Sequence, residues 1–169
     1  MFPLVSCSVP GCPNLKAHGS ETCLPHLGQP ERYLRDLRSL LSVSPSLEDL
    51  NLAHLELEQL DLSGKRIRFC SFSHSRLYRI RFDNTRIRLL FLDFASLRKC
   101  SFETSMVHSL VLGGAELDAC TFGHSDLVGC NFTGARCRNC TFDGSDLYAS
   151  RFTGALIEQS SFRDCNLKQ

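Results

Sequence analysis

Apolar side chains occupy every fifth position of the chain from Leu52 to Leu167. The series runs through 24 consecutive positions, and none of them is charged. A helix buries residues at a period of about 3.6 and a strand at a period of 2, so neither element produces a period of five. The pattern therefore predicts a repeating coil built from five-residue units.

The position two residues before each of these apolar residues is also restricted. It holds mostly Ala, Ser, Thr, Cys or an aliphatic residue, and Lys65 is the one charged exception. The other three positions of each unit are mostly polar. Two inward positions in five, one large and one small, predict a narrow coil whose interior is filled by side chains.

Several five-residue units match the pattern Ala-(Asp/Asn)-Leu-x-x closely. They include Ser-Asp-Leu at 125–127 and 145–147, and Cys-Asn-Phe at 130–132. On these residues the chain resembles the pentapeptide-repeat family, and the resemblance covers residues 48–169. The resemblance implies an all-β solenoid, a right-handed quadrilateral β-helix with four repeats per coil. At that rate 24 repeats give about six coils, stacked about 4.8 Å apart.

Stacking the sequence at 20 residues per coil sorts the interior by chemistry. One column is almost wholly aromatic and another is wholly aliphatic, as a solenoid whose coils contact only their neighbours should show. The aromatic column holds Leu62, Phe82, Phe102, Phe122, Phe142 and Phe162, and the aliphatic column holds Ile67, Ile87, Val107, Leu127, Leu147 and Leu167.

Residues 1–28 carry four metal-ligand residue types in two short clusters. Cys7, Cys12, Cys23 and His26 have the spacing Cys-x4-Cys-x10-Cys-x2-His. Four such ligands make a closed tetrahedral site for structural Zn²⁺, and the segment resembles the small Cys3His zinc modules of bacterial and phage proteins. His18 is an alternative fourth ligand. The competing interpretation is a disordered tail with free thiols, but an ordered segment this poor in apolar residues needs the metal.

The remaining cysteines lie at inward positions of the coil, where they are expected to act as small buried hydrophobes.

Residues 29–46 join the zinc module to the coil. An amphipathic helix is predicted from Pro30 to about Leu41, and its apolar side is expected to cap the open coil end at Leu50, Leu55 and Leu60. A free helix that binds a membrane or a partner is the alternative. Residues 47–169 form the coil.

Composition excludes several classes of protein. The 169 residues carry a formal charge of +1, so the chain is not a globally basic nucleic-acid binder. No apolar run approaches the ~20 residues of a transmembrane helix, and no membrane association is expected. The N-terminus lacks a basic stretch followed by an apolar one, so ten cysteines indicate a reduced, cytoplasmic chain. Phosphate loops, zinc-protease and nucleophile-elbow motifs are missing, and a filled coil has no cleft, so an enzyme is not expected.

Charge is unevenly distributed along the coil. Residues 65–99 hold ten basic residues against Asp83 and Asp93, a local charge of +8. Stacked like charges repel unless counter-ions or a partner neutralise them, so one interpretation of the band is a docking patch for phosphates or an acidic protein surface. The alternative, which is favoured, is a solvated surface balanced by the preceding coil, through Glu56, Glu58 and Asp61. The predicted patch comprises Arg66, Arg68, Arg79, Arg86, Arg88 and Lys99.

These features predict a non-enzymatic scaffold or recognition protein that presents coil faces to a macromolecular partner, with a protein partner favoured. The family resemblance adds topoisomerase (gyrase) protection as an alternative, since some members confer fluoroquinolone resistance by mimicking DNA. The coils of those members are acidic, whereas residues 48–169 of this chain carry 15 basic and 15 acidic residues. Nucleic-acid binding is the other alternative. A homodimer is predicted through the last coil, at Phe152, Ile157, Phe162 and Leu167, because an open coil end favours another copy.

Overall fold

The computed structural model describes residues 5–168. Residues 1–4, the first part of the N-terminus in which no secretory signal is expected, and Gln169 lie outside this range. Residues 46–168 form a parallel β-helix of about six coils, with one α-helix before it. The predicted fold class is confirmed.

Within residues 5–168, one α-helix and ten strands follow in chain order after a short 3-10 helix at Leu24–His26. The bounds are α1 (Pro30–Val43), β1 (Ser46–Glu48), β2 (Glu56–Glu58), β3 (Arg66–Ser71), β4 (Arg76–Tyr78), β5 (Arg86–Phe91), β6 (Ser96–Arg98), β7 (Met106–Val111), β8 (Glu116–Asp118), β9 (Arg136–Arg138) and β10 (Leu156–Glu158).

The strands form two parallel sheets on opposite faces of the coil. We number the faces 1 to 4 after the inward residues that begin them, Leu47, Leu52, Leu57 and Leu62. Face 1 is the sheet in the order β1-β3-β5-β7, and single bridges through Asp126 continue it to the last coil. Face 3 is the sheet in the order β2-β4-β6-β8-β9-β10.

Every strand pairs with the residues 20 positions along the chain, so each column of the coil holds residues n, n+20 and n+40. Ile67 lies beside Ile87, for example, and Ile87 beside Val107. The aromatic column stacks nearly parallel rings, with centroids 4.5 Å apart for Phe82 and Phe102 and 4.8 Å apart for Phe122 and Phe142. These distances lie in the favourable range for aromatic pairs.

Hydrogen bonds explain why the small inward position accepts Ser and Cys as well as Ala. The side-chain hydroxyl of Ser105 donates to the carbonyl of Phe82 at 2.7 Å, and Ser125 donates to Phe102 at 2.6 Å. The thiol of Cys120 occupies the equivalent position below the carbonyl of Leu97, at 3.5 Å. Each acceptor lies 23 residues earlier, so a buried polar group finds its partner in the preceding coil.

The residue two positions after each large inward residue turns the chain through a left-handed conformation. All 24 such positions from Asp49 to Asp164 have positive φ, and only six of them are Gly. A left-handed conformation costs a non-glycine residue about 1 kcal/mol. The corners of the coil therefore carry repeated backbone strain, which the filled interior and the ladder between coils must offset.

Helix α1 covers the N-terminal end of the coil. Leu37 and Leu41 are buried in the core that continues through Leu50, Leu55 and Leu60. Within the described residues no helix has the length and apolar character needed to cross a membrane.

Lys65, the one charged residue at an inward position, binds the end of α1. Its Nζ donates to the carbonyls of Ser42 at 2.9 Å and Ser44 at 2.6 Å, and the side chain is buried. The last carbonyls of a helix have no partner within the helix and carry the negative end of its dipole. A buried ammonium at this place therefore joins the cap to the first coil.

Replacing Lys65 by Met keeps the stem and removes the ammonium group. We expect the free energy of unfolding to fall by about 2 kcal/mol, because two charge-assisted hydrogen bonds to carbonyls at the end of α1 are lost. Urea denaturation measures the change. Lys99→Met removes the same charge from an exposed position, and an equal effect of the two substitutions would contradict the capping role.

Gly134 tests the strain at the corners. Its φ is +69°, and an added Cβ would meet only the backbone nitrogen of Gly114 at 3.9 Å, so space is not limiting. We expect Gly134→Ala to lower stability by about 1 kcal/mol, or roughly 3 °C in Tm. Gly28 lies outside the left-handed region with nothing near its Cβ position. Gly28→Ala should leave the Tm unchanged or slightly higher, and a matching loss there would contradict this origin of the strain.

Candidate metal centre and basic face

The four predicted metal ligands lie together at the N-terminus. The ligand atoms of Cys7, Cys12, Cys23 and His26 are all within 4.8 Å of one another, and the three cysteines are free thiols. His18 lies outside this group, and its backbone carbonyl accepts a hydrogen bond from the Tyr33 hydroxyl at 3.0 Å.

Local turns bring the ligands together. The Cys12 amide donates to the Val9 carbonyl at 3.1 Å, and Gly11 between them has a φ of +76°, so the chain reverses just before the second ligand. Cys23 immediately precedes the 3-10 helix Leu24–His26, and the His26 amide donates to the Cys23 carbonyl at 2.9 Å. One tight turn therefore aims the thiol and the imidazole in the same direction.

Three of the separations between ligand atoms match the edges of a zinc tetrahedron. The Nδ1 atom of His26 is 3.5 Å from the Cys7 sulfur and 3.4 Å from the Cys23 sulfur, and the sulfurs of Cys12 and Cys23 are 3.7 Å apart. Zinc bonds of about 2.3 Å to sulfur and about 2.0 Å to nitrogen give edges of roughly 3.8 and 3.6 Å. A disulfide would instead require a separation of about 2.05 Å.

Hydrogen-bond donors lie near two of the sulfurs, and at Cys7 they favour the thiolate form that binds metals. The Cys23 amide lies 3.3 Å from the Cys7 sulfur, and the side-chain amide of Asn14 lies 3.7 Å from the Cys23 sulfur. Burial alone would raise the pKa of Cys7, but hydrogen bonds from the Cys23 and Val9 backbone outweigh it and lower that pKa to about 6. Asn14 is a supporting residue that spacing alone did not reveal.

Two of the coil cysteines, Cys70 and Cys130, have a different environment. Burial raises the pKa of Cys70 to about 11 and that of Cys130 to about 12, so both thiols are protonated at neutral pH. Their side chains are fully buried in the core. A thiol in this state is neither a nucleophile nor a metal ligand.

The basic band of the sequence separates into paired and unpaired residues. Glu56 pairs with Arg76 at 2.8 Å, Asp61 with Arg81 at 3.3 Å and Glu48 with Arg68 at 3.6 Å. The acidic residues of the first coil therefore do neutralise part of the band, as the alternative interpretation expects.

The unpaired arginines concentrate on face 1. Arg66 and Arg86 lie side by side in register, as do Arg68 and Arg88. Among residues 5–168, Arg66, Arg86 and Arg88 form no ion pair with a carboxylate. The guanidinium carbons of Arg68 and Arg88 lie 5.9 and 5.7 Å from the centroid of Phe69, which adds a cation–π contact. This cluster is a candidate anion-binding surface. Arg79 and Lys99 lie on another corner of the coil, where Arg79 contacts the ring of Tyr78 at 5.0 Å.

Face 3 distributes its charges differently. Acidic and basic residues alternate from coil to coil, so that Arg98 pairs with Asp118 at 3.9 Å and Arg138 with Glu158 at 2.9 Å. Face 1 instead carries its charges in blocks. Arginine occupies the outward position at 66 and 86, Met106 follows, and aspartate occupies the same column at 126 and 146.

The C-terminal coil exposes apolar side chains. Leu156, Ile157 and Leu167 are 56 %, 43 % and 56 % exposed, and Phe152 and Phe162 are half-buried beside them. This end matches the surface that the sequence assigns to dimerisation, and the dimer itself stays a prediction.

Comparison with known proteins identifies the repeat. A family model described as pentapeptide repeats matches residues 111–148 and 130–169. The pentapeptide-repeat resemblance is therefore confirmed over this part of the chain, and the coil from residue 46 continues the same backbone geometry. The family match does not include the N-terminal module. No curated protein matches the chain.

Several solved structures match the chain at low sequence identity. Rfr23 from the cyanobacterium Cyanothece 51142 is 14 % identical, over 76 % of this chain and 99 % of its own, with a TM-score of 0.44. QnrB1, a plasmid-mediated fluoroquinolone resistance protein, is 16 % identical over 73 % and 72 %, with a TM-score of 0.38. HetL from the cyanobacterium Nostoc is 15 % identical over 76 % and 92 %, with a TM-score of 0.22. Likeness at this level carries no information about shared partners.

Proposed function

We propose that this protein is a non-enzymatic recognition protein. A structural zinc ion orders its N-terminal cap, and the arginines of face 1 bind an acidic macromolecular surface. The observation that carries the proposal is that three of the four in-register arginines of face 1, Arg66, Arg86 and Arg88, form no ion pair with a carboxylate within residues 5–168.

Zinc is supported by the chemistry of the donor set. Three thiols and an imidazole at tetrahedral separations suit Zn²⁺ better than the hard cations, which prefer oxygen ligands. All four ligands come from the protein, which is typical of a structural site. The module also contacts the coil, because the Asn51 side-chain amide donates to the Lys16 carbonyl at 3.1 Å. A metal that orders the module therefore also completes the cap.

Elemental analysis tests the metal. We expect one zinc ion per chain in protein purified without chelator, and Cys23→Ser should lose the metal while far-UV circular dichroism shows the coil intact. Cys130→Ser is the matched control, since Ser150 already occupies the same inward column. Protein that contains no zinc, or a Cys23→Ser variant that retains it, would refute the assignment.

Recognition of an acidic surface is supported by the electrostatic repulsion between the stacked arginines of face 1. Guanidinium groups about 4.8 Å apart repel one another, and the repulsion is relieved when anions bind between them. Arginine also forms planar, bidentate contacts with carboxylates and phosphates. A flat β-helix face that holds such groups on fixed strands loses little entropy when a partner binds.

The double reversal Arg66→Glu with Arg86→Glu tests this face. We expect it to lower affinity for a fluorescent polyglutamate peptide at least tenfold in an anisotropy titration, with thermal stability equal or higher because the new carboxylates lie beside Arg68 and Arg88. Arg136→Glu with Arg151→Glu makes the same charge change on other faces and should retain binding. Equal losses in the two variants would mean that only net charge matters, which would refute a specific face.

The alternatives stay predictions with their own measurements. A duplex DNA probe in the same titration, repeated at several salt concentrations, tests nucleic-acid binding. A gyrase supercoiling assay with and without ciprofloxacin tests topoisomerase protection, which requires rescue at stoichiometric protein.

A further inference from the structure

We propose that face 1 binds a second copy of this chain, with the two coils side by side and antiparallel. This inference rests on the proposed function of face 1 as a surface that recognises acidic groups. It assigns that acidic surface to the opposite half of face 1 itself.

The charge order along face 1 is self-complementary. Bridges and strand pairs place one outward residue of each coil in a single column, which contains Ser46, Arg66, Arg86, Met106, Asp126, Asp146 and Asn166. Met106 lies at its centre. Two arginines precede it, two aspartates follow it, and each end carries a neutral polar residue.

A twofold axis along the strand direction through the Met106 row would place this column against itself in reverse order. Arg66 would then face Asp146 of the second copy, Arg86 would face Asp126, and Met106 would face Met106. An isologous interface requires a surface that complements itself in this way. By symmetry the column supplies four ion pairs between copies.

The neighbouring outward column fits the same axis. It contains Glu48, Arg68, Arg88, His108, Val128, Tyr148 and Lys168, with His108 at its centre. The reversed order brings Arg68 to Tyr148 of the second copy, a cation–π pair, and Glu48 to Lys168.

The corner at the end of face 1 carries large side chains in its N-terminal half and small ones in its C-terminal half, so it also complements itself when the order is reversed. The corner column begins at Asp49 and continues through Phe69, Leu89, Ser109, Gly129 and Ala149. In the antiparallel arrangement Phe69 would lie opposite Ala149, and Leu89 opposite Gly129, so that large residues meet small ones. Charge and size therefore both agree with an antiparallel arrangement, and the charges select its register.

Exposure of the apolar residues on face 1 agrees with a covered surface. Met106, on β7, is 50 % exposed, and Tyr148, in the turn that follows the bridge at Asp146, is 47 % exposed. Face 3 provides the contrast, because its alternating charges pair within the chain and leave few for a second copy.

The size of face 1 predicts a weak, salt-sensitive dimer. Seven rows about 4.8 Å apart and strands of three to six residues would bury on the order of 900 Å² in total, below a standard interface. Exposed ion pairs contribute about 0.2–1 kcal/mol each and weaken with salt. We expect dissociation in the micromolar range that increases at least tenfold between 50 and 500 mM NaCl.

Sedimentation equilibrium with charge-reversed variants tests the pairing. Arg66→Glu with Arg86→Glu should be monomeric, because glutamates would face Asp146 and Asp126 of the second copy. Asp126→Arg with Asp146→Arg should be monomeric for the converse reason. An equimolar mixture of the two variants should form a heterodimer, since every facing pair is again of opposite charge. The mixture also controls for folding, because a misfolded variant cannot be rescued.

Three outcomes would overturn the inference: a wild-type chain that is monomeric to 500 µM at low salt, a mixture that fails to associate, or a dimer that survives both reversals. Ile157→Asp with Leu167→Asp separates the end-to-end dimer, because it should abolish that dimer and leave the side-by-side one. A monomeric wild type that still binds polyglutamate through Arg66 and Arg86 would refute this inference and leave the proposed function standing. A wild-type chain that neither dimerises nor binds polyglutamate would refute both this inference and the proposed function.

Discussion

The hydrogen-bond ladder between successive coils is the constraint on which the rest of this structure depends. Most amides of the coil donate to a carbonyl about 20 positions away, as in the 2.7 Å bond from the Leu52 amide to the Ser71 carbonyl. Because the ladder has a fixed register, a side chain has no freedom to choose its neighbours in the next coil. Residues of the same type therefore stack in columns. Inside the coil this favours parallel phenylalanine rings, and on its surface it places one arginine directly beside another.

The same ladder creates the problem of the ends. The last coil at either end leaves backbone groups and apolar side chains without a neighbour, and solenoids need a cap there. At the N-terminus the cap has three connected parts: helix α1 covers the leucines, Lys65 binds the carbonyls at the end of that helix, and the Cys3His module contacts the coil through Asn51. The C-terminal coil has exposed Ile157 and Leu167 instead.

Sequence alone predicted the interior because inward positions obey a strict local rule. The five-residue period, the aromatic column and the metal-ligand cluster all depend on spacing along the chain. The role of Lys65 was not predictable, because it arises from a helix more than 20 residues earlier that only the folded cap brings into contact.

The division of the basic band into paired and unpaired arginines also required the structure. Which guanidinium meets a carboxylate depends on side-chain reach across coils, and Glu56 and Asp61 reach Arg76 and Arg81. The acidic half of face 1 was missed, although a 20-residue step from Arg86 through Met106 to Asp126 carries the signal.

A flat face with evenly spaced rows needs a means of selecting one register, since sliding by one row costs little in shape. The block order of charge supplies it. In the central register the Met106 column forms four ion pairs between copies. A shift by one row leaves two, either Arg66 with Asp126 or Arg86 with Asp146, and places the remaining charged residues opposite Met106 or the terminal polar residues. The two ion pairs lost in the shift amount to about 1 kcal/mol. Charges arranged in blocks thus define a single register, which alternating charges such as those of face 3 would leave ambiguous.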